Sequence, residues 1–333
     1  MGSFLLRRTL QLLFVLWGSA TLLFLLFNAL PTNPAERFAS GGGNRAPDPQ
    51  VVHNLEVKFG IDKPVPTQYV NYMKGLLHGD LGTSYVTKEP VTDIVKEKLP
   101  PSLRLAFWAI VVESVVGIAA GALSARKRNS AGDWITTITA VVLSAIPVFV
   151  LAYLIKQVTG VYAYQHAWPS WASFPTIGYG PDKYVLGVIP VDGTWKYLVQ
   201  PVFVLASVGT AILARITRTS MLETMRLDHV RTARAKGLTE KKVMNRHVRR
   251  NAMIPVVTVI GIDFGTLVGA AILTETVFNL PGLGSQIVAS AKAFDAPVVL
   301  GLTLVVTLVY GLATMAVDIS YAYFDPRVKL GDD

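Results

Sequence analysis

The stretch VRTARAKGLTEKKVMNRHVRRNAMIP, residues 230–255, concentrates Lys and Arg between two long apolar runs, in a chain that is 51% apolar. Its setting decides the fold. An apolar block precedes it at roughly 197–217, and another follows at 253–276. Each is long enough to cross about 30 Å of hydrocarbon, which takes about 20 mainly apolar residues. Four more such blocks lie at 9–31, 102–124, 134–156 and 298–320. Charged residues make up 16% of the 333, below the roughly 25% usual in soluble domains, and mean hydropathy is positive. The expectation is an all-α membrane protein with six transmembrane helices.

The N-terminal run resembles a signal peptide, with Arg7 and Arg8 ahead of it. Its apolar stretch, Leu10 to Leu30, exceeds the 7–15 residues of a cleavable core, and no A-x-A site follows, so it reads as a retained first span. Orientation follows from where Lys and Arg lie. Eighteen fall on the side holding Arg7, Arg8, Arg126, Lys127, Arg128, the eleven from Arg215 to Arg250, and the C-terminal Arg327 and Lys329. The other thirteen are spread over far more residues, and segment 32–100 balances its eight basic side chains with eight acidic ones. Both termini are therefore expected in the cytoplasm.

The chain divides into a cytoplasmic N-terminus with the first span (1–31), an extracytoplasmic segment (32–100), a five-helix core (101–320) with its cytoplasmic loop 218–252, and a cytoplasmic tail (321–333). Within the segment, VTKEPVTDIVKEKLPPS suggests a short amphipathic helix ending before Pro100. The loop 157–196 is rich in aromatics, including Tyr162, Trp168, Trp171, Tyr179, Tyr184 and Trp195. It reads either as an interfacial belt or as a contact surface for an external partner.

No cysteine is present, which excludes disulfides, thiolate metal sites and a Cys nucleophile. There is no P-loop and no H-E-x-x-H, and the five histidines are scattered, so neither nucleotide nor metal binding is expected of this chain. G-x-S-x-G is also absent: GLGSQ at 282–286 puts its serine in the wrong register. No catalytic residue is expected. The net charge of +9 is explained by its placement rather than by nucleic acid.

Four carboxylates lie in or at the ends of spans: Glu113, Asp263, Glu275 and Asp318. An ionisable group at membrane depth is costly, and it faces protein or water. Asp263, with Phe264 beside it, and Glu113 in mid-span are candidates for a translocation pathway. A paired, purely structural carboxylate is the competing reading, above all for Glu275 and Asp318.

Within 230–255, Leu227, Val230 and Ala233 recur at helical spacing, and Gly237 then stops the helix. Thr239 is placed to cap a second helix with an apolar seam of Val243, Met244, His247 and Val248. A small residue at Ala233 and a bare Gly237 would let another surface approach closely. Three readings stand: a solvated positive-inside loop, an anionic-lipid contact, or a docking element for a soluble protein.

RTARAKGL at 231–238 followed by HVRRNAMIP at 247–255 resembles the EAA loop of the permease subunits of ABC importers. GDLGTSY at 79–85, FNLPGLGSQIV at 278–288 and DISYAYFDPRVK at 318–329 resemble further motifs of the B-type subunits of dipeptide and oligopeptide permeases. Arg231 and Thr232 stand where the general motif has Glu and Ala. The resemblance implies a type I importer permease fold in the bacterial inner membrane. It implies a coupling helix through Asp228, Val230, Arg231, Thr232, Ala233, Arg234, Ala235, Lys236, Gly237 and Leu238, seated on an ATPase subunit. It also implies a gate or external motif at Pro281, Gly282 and Gly284. The implied partners are a second homologous permease chain, one or two cytoplasmic ATPase subunits that bind ATP and Mg, and an extracytoplasmic peptide-binding protein. Another small solute (a nickel chelate, a glycoside) is an alternative cargo, and a channel or scaffold outside this class is the alternative function.

Overall fold

The computed structural model describes residues 2–29, 33–39, 47–176, 178, 180 and 183–324. Its elements run α1 (Gly2–Ala29), α2 (Pro34–Ala39), α3 (Pro49–Phe59), α4 (Val65–Leu77), α5 (Val91–Arg126), α6 (Ala131–Ala145), α7 (Val148–Ile155), α8 (Ala163–Gln165), β1 (Tyr184–Val185), β2 (Ile189–Pro190), α9 (Trp195–Thr224), α10 (Asp228–Ala235), α11 (Glu240–Lys242), α12 (Arg249–Phe278), α13 (Leu283–Lys292) and α14 (Ala296–Phe324). Wider π-type turns join α7 to α8 over Lys156–Tyr162 and α11 to α12 over Val243–Val248. Five helical stretches among the described residues are long and apolar enough to cross a membrane, or six if one bent pair counts as a span.

That pair corrects the sequence reading. The block at 134–156 is not one straight span: α6 and α7 to α8 meet at 106°. Pro147 is the cause, because a proline ring disfavours the α conformation in the residue before it. Ile146 accordingly sits at φ −83°, ψ 123°. A second correction concerns Pro100. The helix expected to end before it runs on as α5, through Pro100 and Pro101, to Arg126. The apolar run that follows and the burial of Ser102, Leu105, Ala106 and Ala109 outweigh the local penalty of a proline. The aromatic loop adds a small antiparallel hairpin, β1 with β2, to an otherwise helical chain. Arg104 Nε and Trp108 Nε1 donate to its turn carbonyls, Gly187 O at 2.8 Å and Val188 O at 2.9 Å. Tyr179 lies outside the described residues.

The chain forms two compact units. One lies within residues 1–100 and 285–311. Here α1 meets α4 through Phe24, which stacks on Tyr72, and through Thr21, whose hydroxyl lies 2.8 Å from that of Tyr69. The GDLGTSY motif is a turn tied to Asp295: the Ser84 hydroxyl donates to Oδ2 at 2.5 Å and the Tyr85 N–H to Oδ1 at 2.9 Å. Burial, then the nearby Asp295 carboxylate, push the Tyr85 phenol up to about 12.

The other unit lies within residues 101–284 and 312–324, and α9 is its axis. This helix packs on α6, α7 and α12 and buries most of its apolar length. On α5, Gly117 and Gly121 stand four apart, the small-x-x-x-small spacing that lets membrane helices touch closely. A side chain at Gly117 would meet Leu213 Cβ at 2.7 Å, and one at Gly121 would meet Thr217 Cβ at 2.6 Å. By contrast, a side chain at Gly18 of α1 would find open space.

Gly121→Leu is therefore expected to lower the thermal midpoint of the purified permease complex by an amount equivalent to about 1–3 kcal/mol, the usual cost of overpacking. Gly18→Leu should leave it unchanged. Equal midpoints for the two variants would contradict the close α5–α9 contact.

Candidate functional site

The basic stretch folds as a corner. Helix α10 ends in a Schellman motif: the Gly237 N–H donates to Arg234 O at 2.9 Å and the Leu238 N–H to Ala233 O at 3.4 Å. Gly237 adopts φ +77°, the left-handed region that a β-carbon disfavours. Arg234 spans the corner, donating to both Glu240 oxygens at 3.1 and 2.8 Å. The pair is exposed, so it orients the corner more than it stabilises it.

Two faces result. Inward, Val230 and Ala233 join Val243, Met244 and Val248 in one apolar cluster with Ala125 of α5, Met221 of α9 and Ala252 of α12, and Leu238 packs against it. Outward, Asp228, Arg231, Thr232, Arg234, Ala235, Lys236 and Gly237 are exposed. The structure thus divides the expected docking residues. Ala233 is small for an inward reason, since it is buried in the cluster. Gly237 does lie outside, and a β-carbon there would meet nothing within 4 Å. Thr239 stands at the start of α11, but its side chain makes no capping bond, another correction. Beside the corner, Arg126, Lys127, Lys241 and Arg249 help line a cavity of about 620 Å³, and Arg126 Nη2 donates to Asn245 Oδ1 at 3.1 Å.

The Pro281–Gly284 turn follows α12, which ends with Asn279 at φ 52°. Glu275, almost fully buried, organises it. Its Oε1 accepts the Ser102 hydroxyl at 2.6 Å and its Oε2 the Gly284 N–H at 2.7 Å, while the Leu283 N–H donates to Ser102 Oγ at 2.8 Å. Any side chain at Gly282 would collide with the Glu275 carboxylate. The two glycines exist for close approach, and the turn is tightly packed. Pro281 is half-buried. Ser102 was not legible in advance, because its partner lies 173 residues away.

The interior carboxylates sort into distinct settings. Glu113 is fully buried, whereas Asp263 and Phe264 are half-buried on α12. Asp263 and Glu113, far apart in the chain, converge beside Gly209 of α9, where a β-carbon would come 2.6 Å from Glu113 Cδ and 2.9 Å from Asp263 Oδ2. Asp318 is half-buried. A further buried carboxylate of this unit, not flagged by the sequence, sits at a block's edge. Asp133 accepts Arg218 Nε at 2.7 Å, Arg218 Nη2 at 2.8 Å, the Asn129 N–H at 2.9 Å and the Ser124 hydroxyl. Such a fully hydrogen-bonded pair can persist without water. It ties α5, α6 and α9 together near the corner.

A protein built this way is a multi-pass helical membrane component with a docked basic corner, and comparison with known proteins gives it a family. The chain belongs to the binding-protein-dependent transport system inner membrane components, whose family model matches residues 117–330; the N-terminal model of these membrane components matches residues 1–106. It is 37% identical to the dipeptide transport system permease protein DppB of Alkalihalophilus pseudofirmus, over 99% of this chain and 100% of that protein. It is 35% identical to the glutathione transport system permease protein GsiC of Pectobacterium atrosepticum, over 99% of each. Among solved structures, an amino acid ABC transporter crystallised with histidines has the same fold, with a TM-score of 0.50 at 15% identity, covering 71% of this chain and 95% of the other.

Replacing Ala233 by Leu is expected to overfill the inner cluster and lower the thermal midpoint of the complex by about 1–3 kcal/mol equivalent. Ala235→Leu, on the outer face, should not. A destabilised Ala235→Leu beside an unaffected Ala233→Leu would invert the assignment of faces.

Proposed function

We propose that the chain forms half of the translocation pathway of an ABC importer for di- or oligopeptides, and that the Gly237 corner carries the work of partner ATPase subunits into it. One observation carries the reading. The corner presents an exposed surface on one side and on the other is locked by apolar packing to the ends of α5, α9 and α12. A push on Arg231, Thr232, Ala235 or Lys236 is therefore a push on membrane helices. The relatives named for dipeptide and glutathione transport support a peptide cargo.

In this reading both termini and the corner face the cytoplasm, and residues 32–100 lie on the outside, where a peptide-binding protein delivers the solute. A second, homologous permease chain supplies the other half of the pathway. ATP and Mg are held by one or two ATPase subunits. Asp263 and Phe264 line the pathway with Glu113 behind them, since the first two retain some exposure and Glu113 has none. The Pro281, Gly282 and Gly284 turn is the outer gate element, held in register by Glu275. Alternation between inward- and outward-open states follows closure and release of the ATPase subunits, with the corner as their joint.

Gly237→Asp tests this. Asp visits the left-handed region at modest cost, so the corner keeps its shape and acquires a charged side chain on the outer face. Binding-protein-stimulated ATP hydrolysis and peptide uptake in proteoliposomes should both fall about tenfold or more, within the 5–150-fold that coupling energies of about 1–3 kcal/mol span. Membrane insertion should be normal. Full activity of both kinds in the variant would remove the corner from the coupling path.

A further inference from the structure

We infer that Glu113 and Asp263 bind one proton between them inside the membrane-spanning unit, with Glu113 as the neutral acid and Asp263 as the anion. Geometry assigns the two roles. Glu113 has no exposed surface, and neither of its carboxyl oxygens has a hydrogen-bond donor among the described residues. A carboxylate buried without donors or a counter-charge is strongly disfavoured in its ionised form. Asp263 is placed differently. It is half-buried, and the Thr266 hydroxyl, shared between its Oδ1 at 2.6 Å and its backbone carbonyl at 2.7 Å, faces its carboxylate. Its Oδ2 is the atom turned toward the Gly209 side, where the Glu113 carboxyl lies. Two ionised carboxylates so close would repel each other, and a shared proton turns that repulsion into a hydrogen bond. The Glu113 O–H donates and Asp263 Oδ2 accepts.

Among the described residues of α5, α9 and α12 facing this place, no cation competes for it. From Pro101 to Ala125, α5 carries only Arg104 besides Glu113, and Arg104 is bonded to the Gly187 carbonyl. Between Tyr197 and Arg215, α9 has no ionisable residue; Arg215 is exposed and Arg218 is taken by Asp133. From Ile254 to Phe278, α12 has only Asp263 and Glu275, and Glu275 has its own donors in Ser102 and Gly284. Gly209 makes the pairing possible, because any larger residue there would occupy the space of the Glu113 carboxyl. The proton thus joins α5 to α12 across α9 and leaves a single negative charge, on Asp263, at the half-exposed position. The assignment does not depend on which solute is carried.

Infrared spectroscopy of the complex in lipid at neutral pH tests it without a transport assay. Wild-type protein should show a carbonyl band of a protonated carboxylic acid that shifts when glutamate, but not aspartate, is labelled with heavy carbon. The band should be lost in Glu113→Gln, whose amide can still donate to Asp263 and so preserves the helix contact. The labelling arm needs no variant, so the test survives a failure of Glu113→Gln to fold. Absence of a protonated-acid band, a shift with labelled aspartate instead, or persistence of the band in a folded Glu113→Gln complex would each overturn the assignment.

Discussion

The apolar cluster beneath the Gly237 corner is the constraint on which the rest depends. Val230, Ala233, Val243, Met244 and Val248 come from the loop, and Ala125, Met221 and Ala252 from the ends of three long helices. Burying a Val or Met side chain contributes about 1.5–3 kcal/mol, so the loop is held far more firmly than its charge suggests. The basic residues are displaced outward because the apolar ones are committed inward. The Ser220 hydroxyl, donating to Ala252 O at 2.8 Å, adds a polar tie between α9 and α12 at the same level. A loop that would otherwise serve only to set orientation becomes a rigid extension of the membrane helices.

The same economy governs the interior. Hydrocarbon gives no hydrophobic reward for helix association, so contact there comes from close packing and from polar groups that find partners. Glycines at 117, 121, 209, 282 and 284 each admit a neighbour that a side chain would exclude. Two sets of buried polar groups add to this packing. Asp133 and Arg218 satisfy each other near the corner, and Glu275 and Ser102 fix the turn after α12.

Much of this was legible in the sequence. The apolar blocks mark the long helices, and the left-handed helix stop at Gly237 follows from residue type and spacing alone. The order of the motifs along the chain also pointed to the family that the comparisons establish. What could not be read depends on contacts distant in sequence. The break at Pro147 hides inside an apolar block of ordinary length, and α5 runs through two prolines because packing overrides propensity. The face of Ala233 is not readable in advance, because small residues suit either face and only its neighbours decide. Gly209 carried no signal at all; its role appears once Glu113 and Asp263 are seen on either side of it. The four-residue spacing of Gly117 and Gly121 is itself a readable sign of close helix approach.

The central claim is that the outer face of the corner is where motion enters the membrane helices, and the absence of native cysteine allows a direct measurement. Single cysteines at Ala235 and Lys236, in membranes containing the partner ATPase carrying single cysteines across its permease-facing cleft, should form disulfide adducts whose yield changes when ATP is bound and held unhydrolysed. A cysteine at the buried Val230 should form none. Efficient adducts from Val230, or none from Ala235 and Lys236 while the ATPase still co-purifies, would contradict the account.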